Sequence, residues 1–82
     1  LQKLTYLNLV GTRITDAGLR DVAKLQQLEQ LFLFGPQITD AGLKEVAKLP
    51  QLRGLDLRGT KITDAGVAEL QKALPNCQIA GP

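Results

Sequence analysis

The chain aligns with itself at a fixed interval of 24 residues, and no other feature limits its fold as tightly. Cut at that interval it reads LQKLTYLNLVGTRITDAGLRDVAK (1–24), LQQLEQLFLFGPQITDAGLKEVAK (25–48) and LPQLRGLDLRGTKITDAGVAELQK (49–72). A partial block, ALPNCQIAGP (73–82), starts a fourth copy and then departs from the pattern. The first two blocks agree at well over half of their positions, and the alignment needs no gap. One such unit has too little interior to fold alone. Stacked copies bury a continuous core, so the period predicts a solenoid.

Two periodicities share each block. Leu7 and Leu9 alternate with polar or variable residues, as in a strand with one buried face, and the same columns return at Leu31, Leu33 and Leu55, Leu57. Gly11, Gly35 and Gly59 close the strands, where unusual backbone angles are needed. Ile-Thr-Asp-Ala-Gly then announces a helix: Thr15 or Asp16 can cap its first N–H groups, and the acidic column Asp16, Asp40, Asp64 suits the positive helix end. Leu19, Val22 and Leu25 follow at helical spacing while Arg20, Asp21 and Lys24 point away, giving a helix of about two to three turns. Gly18, Gly42 and Gly66 fall in the first turn, where Gly costs roughly 1 kcal/mol against Ala, so close packing is expected there. Strand–helix units in series pair their strands in parallel.

The run Leu4-x-x-Leu7-x-Leu9-x-x-Thr12-x-Ile14 resembles the leucine-rich-repeat core, L-x-x-L-x-L-x-x-N/C-x-L. The ITDAGL that follows resembles the cysteine-containing variant of that family, found in F-box substrate receptors and in many bacterial repeat proteins. The resemblance covers about residues 1–79. It implies an α/β solenoid: a right-handed βα superhelix with a parallel sheet on its concave side and short helices on its convex side. All of 1–82 then forms one domain. The Asn or Cys column holds Thr12, Pro36 and Thr60 instead, and Pro36 brings no side-chain donor. The period is slightly shorter than that variant usually shows. No F-box segment is present, so ubiquitin ligation does not transfer. The pattern is already running at Leu1, which reads as an excerpt of a longer protein, cut at its N-terminal end, whereas PNCQIAGP reads as a near-natural terminus.

Composition narrows the chemistry. Ten Lys and Arg against eight Asp and Glu leave +2, too weak a field for nucleic acid. Lys24, Lys48 and Lys72 form a basic column, but Asp21, Glu45 and Glu69 run beside it as on any solvated helix face. Apolar runs are only a few residues long, so no membrane span is expected. The chain has neither His nor Ser, and Cys77 has no base to activate it, so neither catalysis nor a cofactor is expected. The Asp column is assigned to capping rather than to a metal. A single cysteine cannot form an internal disulfide and points to a reducing compartment such as the cytoplasm.

The period-2 pattern also says which side chains leave the core. They are Tyr6, Asn8, Val10 on the first strand, Gln30, Phe32, Phe34 on the second, and Gly54, Asp56, Arg58 on the third, with Gln78 and Ala80 on a fourth. Every aromatic residue of the chain is among them. Val10 is expected beside Phe34, with space left by Gly54. Leucine-rich repeats usually bind on the concave sheet, so the resemblance implies that Tyr6, Asn8, Val10, Gln30, Phe32, Phe34, Asp56 and Arg58 contact a protein or peptide partner. Aromatics also favour strands for their own sake, which leaves a packing explanation open. Stable interfaces use about 20–30 residues a side, so this short row suits a weak contact, a short peptide or self-association through the ends, where Leu1 and Leu4 lack a preceding unit. A structural, self-assembling spacer and an engineered consensus repeat protein are the alternatives.

Overall fold

Each block folds into the strand and helix its two periodicities require. The computed structural model describes residues 4–81. In chain order the elements are β1 (Tyr6–Asn8), α1 (Leu19–Val22), β2 (Gln30–Phe32), α2 (Asp40–Val46), β3 (Gly54–Asp56), α3 (Asp64–Ala73) and β4 (Gln78–Ala80). The strands form a single parallel sheet in the order β1-β2-β3-β4. Its register follows the sequence period, so Leu7, Leu31, Leu55 and Ile79 stand side by side, as do Tyr6, Gln30, Gly54 and Gln78. The helices cover the leucine side and leave the other side open.

The core lies between sheet and helices. Leu28, Leu31, Leu33, Ile38, Leu49 and Leu57 are completely or almost completely buried, and Leu19, Leu43, Val46 and Leu70 close it from the helices. The first-block equivalents Leu7, Leu9 and Ile14 are only partly buried, because among the described residues they have a neighbouring unit on one side alone. Leu4 is 43% exposed for the same reason; Leu1 lies outside the described residues.

Three expectations need correction. The helices are not equal: α2 and α3 have seven and ten residues, but α1 has four. Nor does the Asp column cap its own helices. The cap oxygens belong to Thr39, which accepts from Ala41 N–H, and to Thr63, which accepts from Gly66 N–H at 3.0 Å. The aspartates reach forward into the next block. Asp16 accepts the backbone N–H of Thr39 at 2.9 Å and also its hydroxyl; Asp40 accepts the same two groups of Thr63 at 2.9 and 2.6 Å. A carboxylate has two oxygens to fill and a threonine cap has two protons to give, so the pair satisfies both sides. No such carboxylate reaches Thr15 among the described residues, and α1 begins late, at Gly18, without a side-chain cap. Gly42 and Gly66 make room for the clamps, since a Cβ on either would collide with the Asp16 or Asp40 carboxylate.

The third correction is at the C-terminal end, where the gapless alignment slips. Leu28 N–H donates to Leu25 and Leu52 N–H to Leu49; the matching bond in the last block is Cys77 to Leu74, one residue late. Asn76, the column partner of Leu52, is exposed, and Cys77 takes its buried place at 4% exposure. β4 nevertheless returns to register because its approach is one residue shorter: Arg53 and Gly54 both donate to Glu29 O, whereas Gln78 alone donates to Arg53 O. Gln71 closes this end by donating to the carbonyls of Leu74 and Cys77. Burial raises the Cys77 pKa.

Candidate functional site

The open side of the sheet carries the candidate site, and the strand alternation builds it. With Leu7, Leu31, Leu55 and Ile79 turned to the core, Tyr6, Asn8, Gln30, Phe32, Gly54, Asp56, Gln78 and Ala80 are turned outward. The rings of Tyr6 and Phe32 lie diagonally across the β1–β2 pair, 5.3 Å between centroids and tilted by 44°. That spacing is within the range where aromatic pairs attract. Phe32 is half-buried, while Tyr6 remains 53% exposed.

Val10, Phe34 and Arg58 lie beyond the strands that the period-2 count extended to them. The strands are only three residues long, and these three side chains come two residues after the strand ends. The reason is local. Asn8 Oδ1 accepts Val10 N–H at 2.9 Å and Asp56 Oδ1 accepts Arg58 N–H at 3.1 Å, so each side chain turns its own backbone out of the strand. The chain then passes through Gly11 or Gly59, both at positive φ. An Asn or Asp three residues ahead of Gly was the signal in the sequence. Asn8 and Asp56 therefore have structural duties as well as an outward position. Val10 and Phe34 are each about half exposed. Phe34 lies with its ring over Gly59, and among the described residues the aromatic ring pair is Tyr6 with Phe32.

The space expected at Gly54 exists, with the amide of Gln30 leaning across it. Around it is a shallow hollow of about 340 Å³ lined chiefly by Gln30, Phe32, Gly54, Asp56, Gln78 and Ala80. Its one carboxylate is occupied. Asp56 receives Arg58 Nε at 3.0 and 3.1 Å and Nη2 at 2.6 Å, which holds the Asp56 pKa below and the Arg58 pKa above the ordinary value. The Arg58 end of the pair is exposed and the Asp56 end largely covered, and together they cancel the charge of this row.

Sequence reasoning missed the clamps between blocks, the Asx turns beneath the strands and the Asp56–Arg58 pair. Among the described residues, no group of three or more His, Cys, Asp or Glu is placed to hold a metal ion. No helix among them is long and apolar enough to cross a membrane.

Residues 1–23 and 48–70 match the family model described as Leucine Rich repeat, and together they take in more than half of the chain. The match is to the family as a whole. Among curated proteins, none matches the chain.

Proposed function

The chain belongs to the leucine-rich-repeat family, and on that premise we propose that it is a non-catalytic interaction module that binds a protein segment across the open sheet face. Repeats of this family generally mediate protein–protein interaction. One observation carries the choice of face. Among the described residues, Tyr6, Val10 and Phe34 are three of the four large apolar side chains left exposed, and the Phe32 ring packs against Tyr6. The leucine columns could have taken these rings into the core and did not.

In this reading Tyr6 and Phe32 are the anchors, because aromatic side chains lose little conformational freedom on binding and bury much area. Val10 and Phe34 extend the apolar strip beyond the strand ends. Asn8, Gln30, Asp56 and Arg58 form a polar surround that excludes water from the contact. The face is narrow, so it suits a short extended segment better than a second globular surface.

A display library of random peptides selected on the wild-type chain tests the proposal. The double variant Tyr6→Ser/Phe32→Ser should lose at least tenfold in affinity for the selected peptides while its melting temperature stays within a few degrees. Undiminished affinity would refute the sheet-face reading. A loss of affinity that simply follows a loss of folding would favour sheet propensity as the reason for the aromatics.

The partly buried first-block leucines favour a second reading, association between copies through that end. Sedimentation velocity over a concentration series separates the two, since only end-to-end association makes mass grow with concentration and respond to Leu4→Glu rather than to Tyr6→Ser.

A further inference from the structure

Gly54 lies in the middle of the outward row Tyr6, Gln30, Gly54, Gln78, and it is the one position there without a side chain. Its backbone does not call for glycine, since the positive-φ glycines are Gly11, Gly35, Gly59 and Gly81. A glycine inside a strand weakens it and often marks a place where something approaches closely. A Cβ at Gly54 would meet only the end of the Gln30 side chain, which is exposed and free to swing aside. The floor of the hollow is thus open backbone behind a movable amide.

We infer that this hollow takes one uncharged apolar side chain from an extended segment, with Gln30 and Gln78 bonding that segment's backbone on either side; the inference rests on the sheet-face reading. Three features of the hollow support it. Phe32 and Ala80 offer apolar walls, and about 340 Å³ is room for a ring, given that a cavity of ~150 Å³ already accepts benzene. The amides of Gln30 and Gln78 each carry donors and an acceptor, which matches a peptide group and not an ion. The Asp56 carboxylate is closed by Arg58, so neither a cationic nor an anionic side chain finds an unspent partner in the lining.

The probes are N-acetyl-phenylalaninamide and N-acetyl-leucinamide, with the glutamate and lysine analogues as controls, titrated while ¹⁵N–¹H amide shifts are recorded. The apolar amides should move Gly54, Phe32, Gln78 and Ala80 in a saturable way, and the charged analogues should not. Gly54→Val fills the floor and favours strand structure, and its Cβ meets the movable Gln30 amide. It should abolish those shifts and weaken a display-selected peptide at least tenfold, while the other strand amides report an intact sheet. Charged analogues that move Gly54 as strongly as the apolar ones would overturn the inference. A peptide weakened by Tyr6→Ser but indifferent to Gly54→Val would overturn it too and leave the sheet-face reading standing. Indifference to both substitutions would remove both.

Discussion

The carboxylate of Asp16 accepts the backbone N–H of Thr39 and the hydroxyl of the same residue, and Thr39 in turn starts the next helix. Asp40 and Thr63 repeat the arrangement one unit on. Each helix is therefore begun by the unit before it. Removing Asp16 leaves a partly buried N–H and a hydroxyl without their acceptor, a change that typically costs about 1–3 kcal/mol. Asp16→Ala should lower the urea midpoint accordingly. Asp64→Ala should change it far less, because among the described residues no further helix follows α3 for its carboxylate to start.

The clamp also explains why a helix tolerates glycine in its first turn. The atoms nearest a Cβ on Gly66 all belong to Asp40. Gly66→Ala should destabilise the chain by forcing the carboxylate off Thr63. In an Asp40→Ala background the same substitution should stabilise it, since Ala exceeds Gly by roughly 1 kcal/mol in a helix. A double-mutant cycle read by urea denaturation checks this reversal of sign.

Acid should loosen the stack. Thr63, through its hydroxyl first and its N–H second, holds the Asp40 pKa below the ordinary 3.8, and the Arg58 side chain does the same for Asp56. A carboxyl whose pKa is lower in the folded state contributes stability in full above the unfolded value and loses it as pH falls through the folded one. Melting temperature should therefore change little on this account at higher pH and decline below about pH 4. The decline should be smaller for Asp40→Asn, measured by circular dichroism from pH 5 to 2.

Much of this fold was legible in the residues. The 24-residue columns gave the parallel order and the exact strand partners, because a strand's register is fixed once every second residue must be leucine. The outward position of Tyr6 and Phe32 followed from the same count. What escaped depends on contacts between units. The ITDAG run shows that Thr and Asp sit at a helix start, but which of them caps it is decided by the geometry of the neighbouring block. The slip at Cys77 was hidden because an extended α3 and a shortened approach to β4 cancel, so the strand columns still align. The helix spacing alone could not show that α1 would be short, since α2 and α3 owe their starts to a carboxylate on another unit.

Phe34 combines exposure with a packing role. Gly59 and Gly11 have nearly the same φ, 83° and 86°, yet a Cβ on Gly11 meets nothing within 4 Å whereas one on Gly59 collides with the Phe34 ring. Both alanine variants bear the left-handed cost of about 1–2 kcal/mol. Gly59→Ala should lose more, and adding Phe34→Ala should bring it back to the level of Gly11→Ala. Thermal melts of the three variants provide the comparison.

The most direct test of the sheet-face account uses the chain's own reporter. Tyr6 is the single tyrosine and there is no tryptophan, so intrinsic emission comes from one of the proposed anchors. A selected peptide free of Tyr and Trp is titrated into the wild-type chain while emission and acrylamide quenching are followed, with calorimetry on the same samples. The account predicts that Tyr6 becomes shielded from acrylamide along a saturating curve whose midpoint agrees with the calorimetric Kd. Heat of binding that saturates while Tyr6 stays as accessible as before would contradict it.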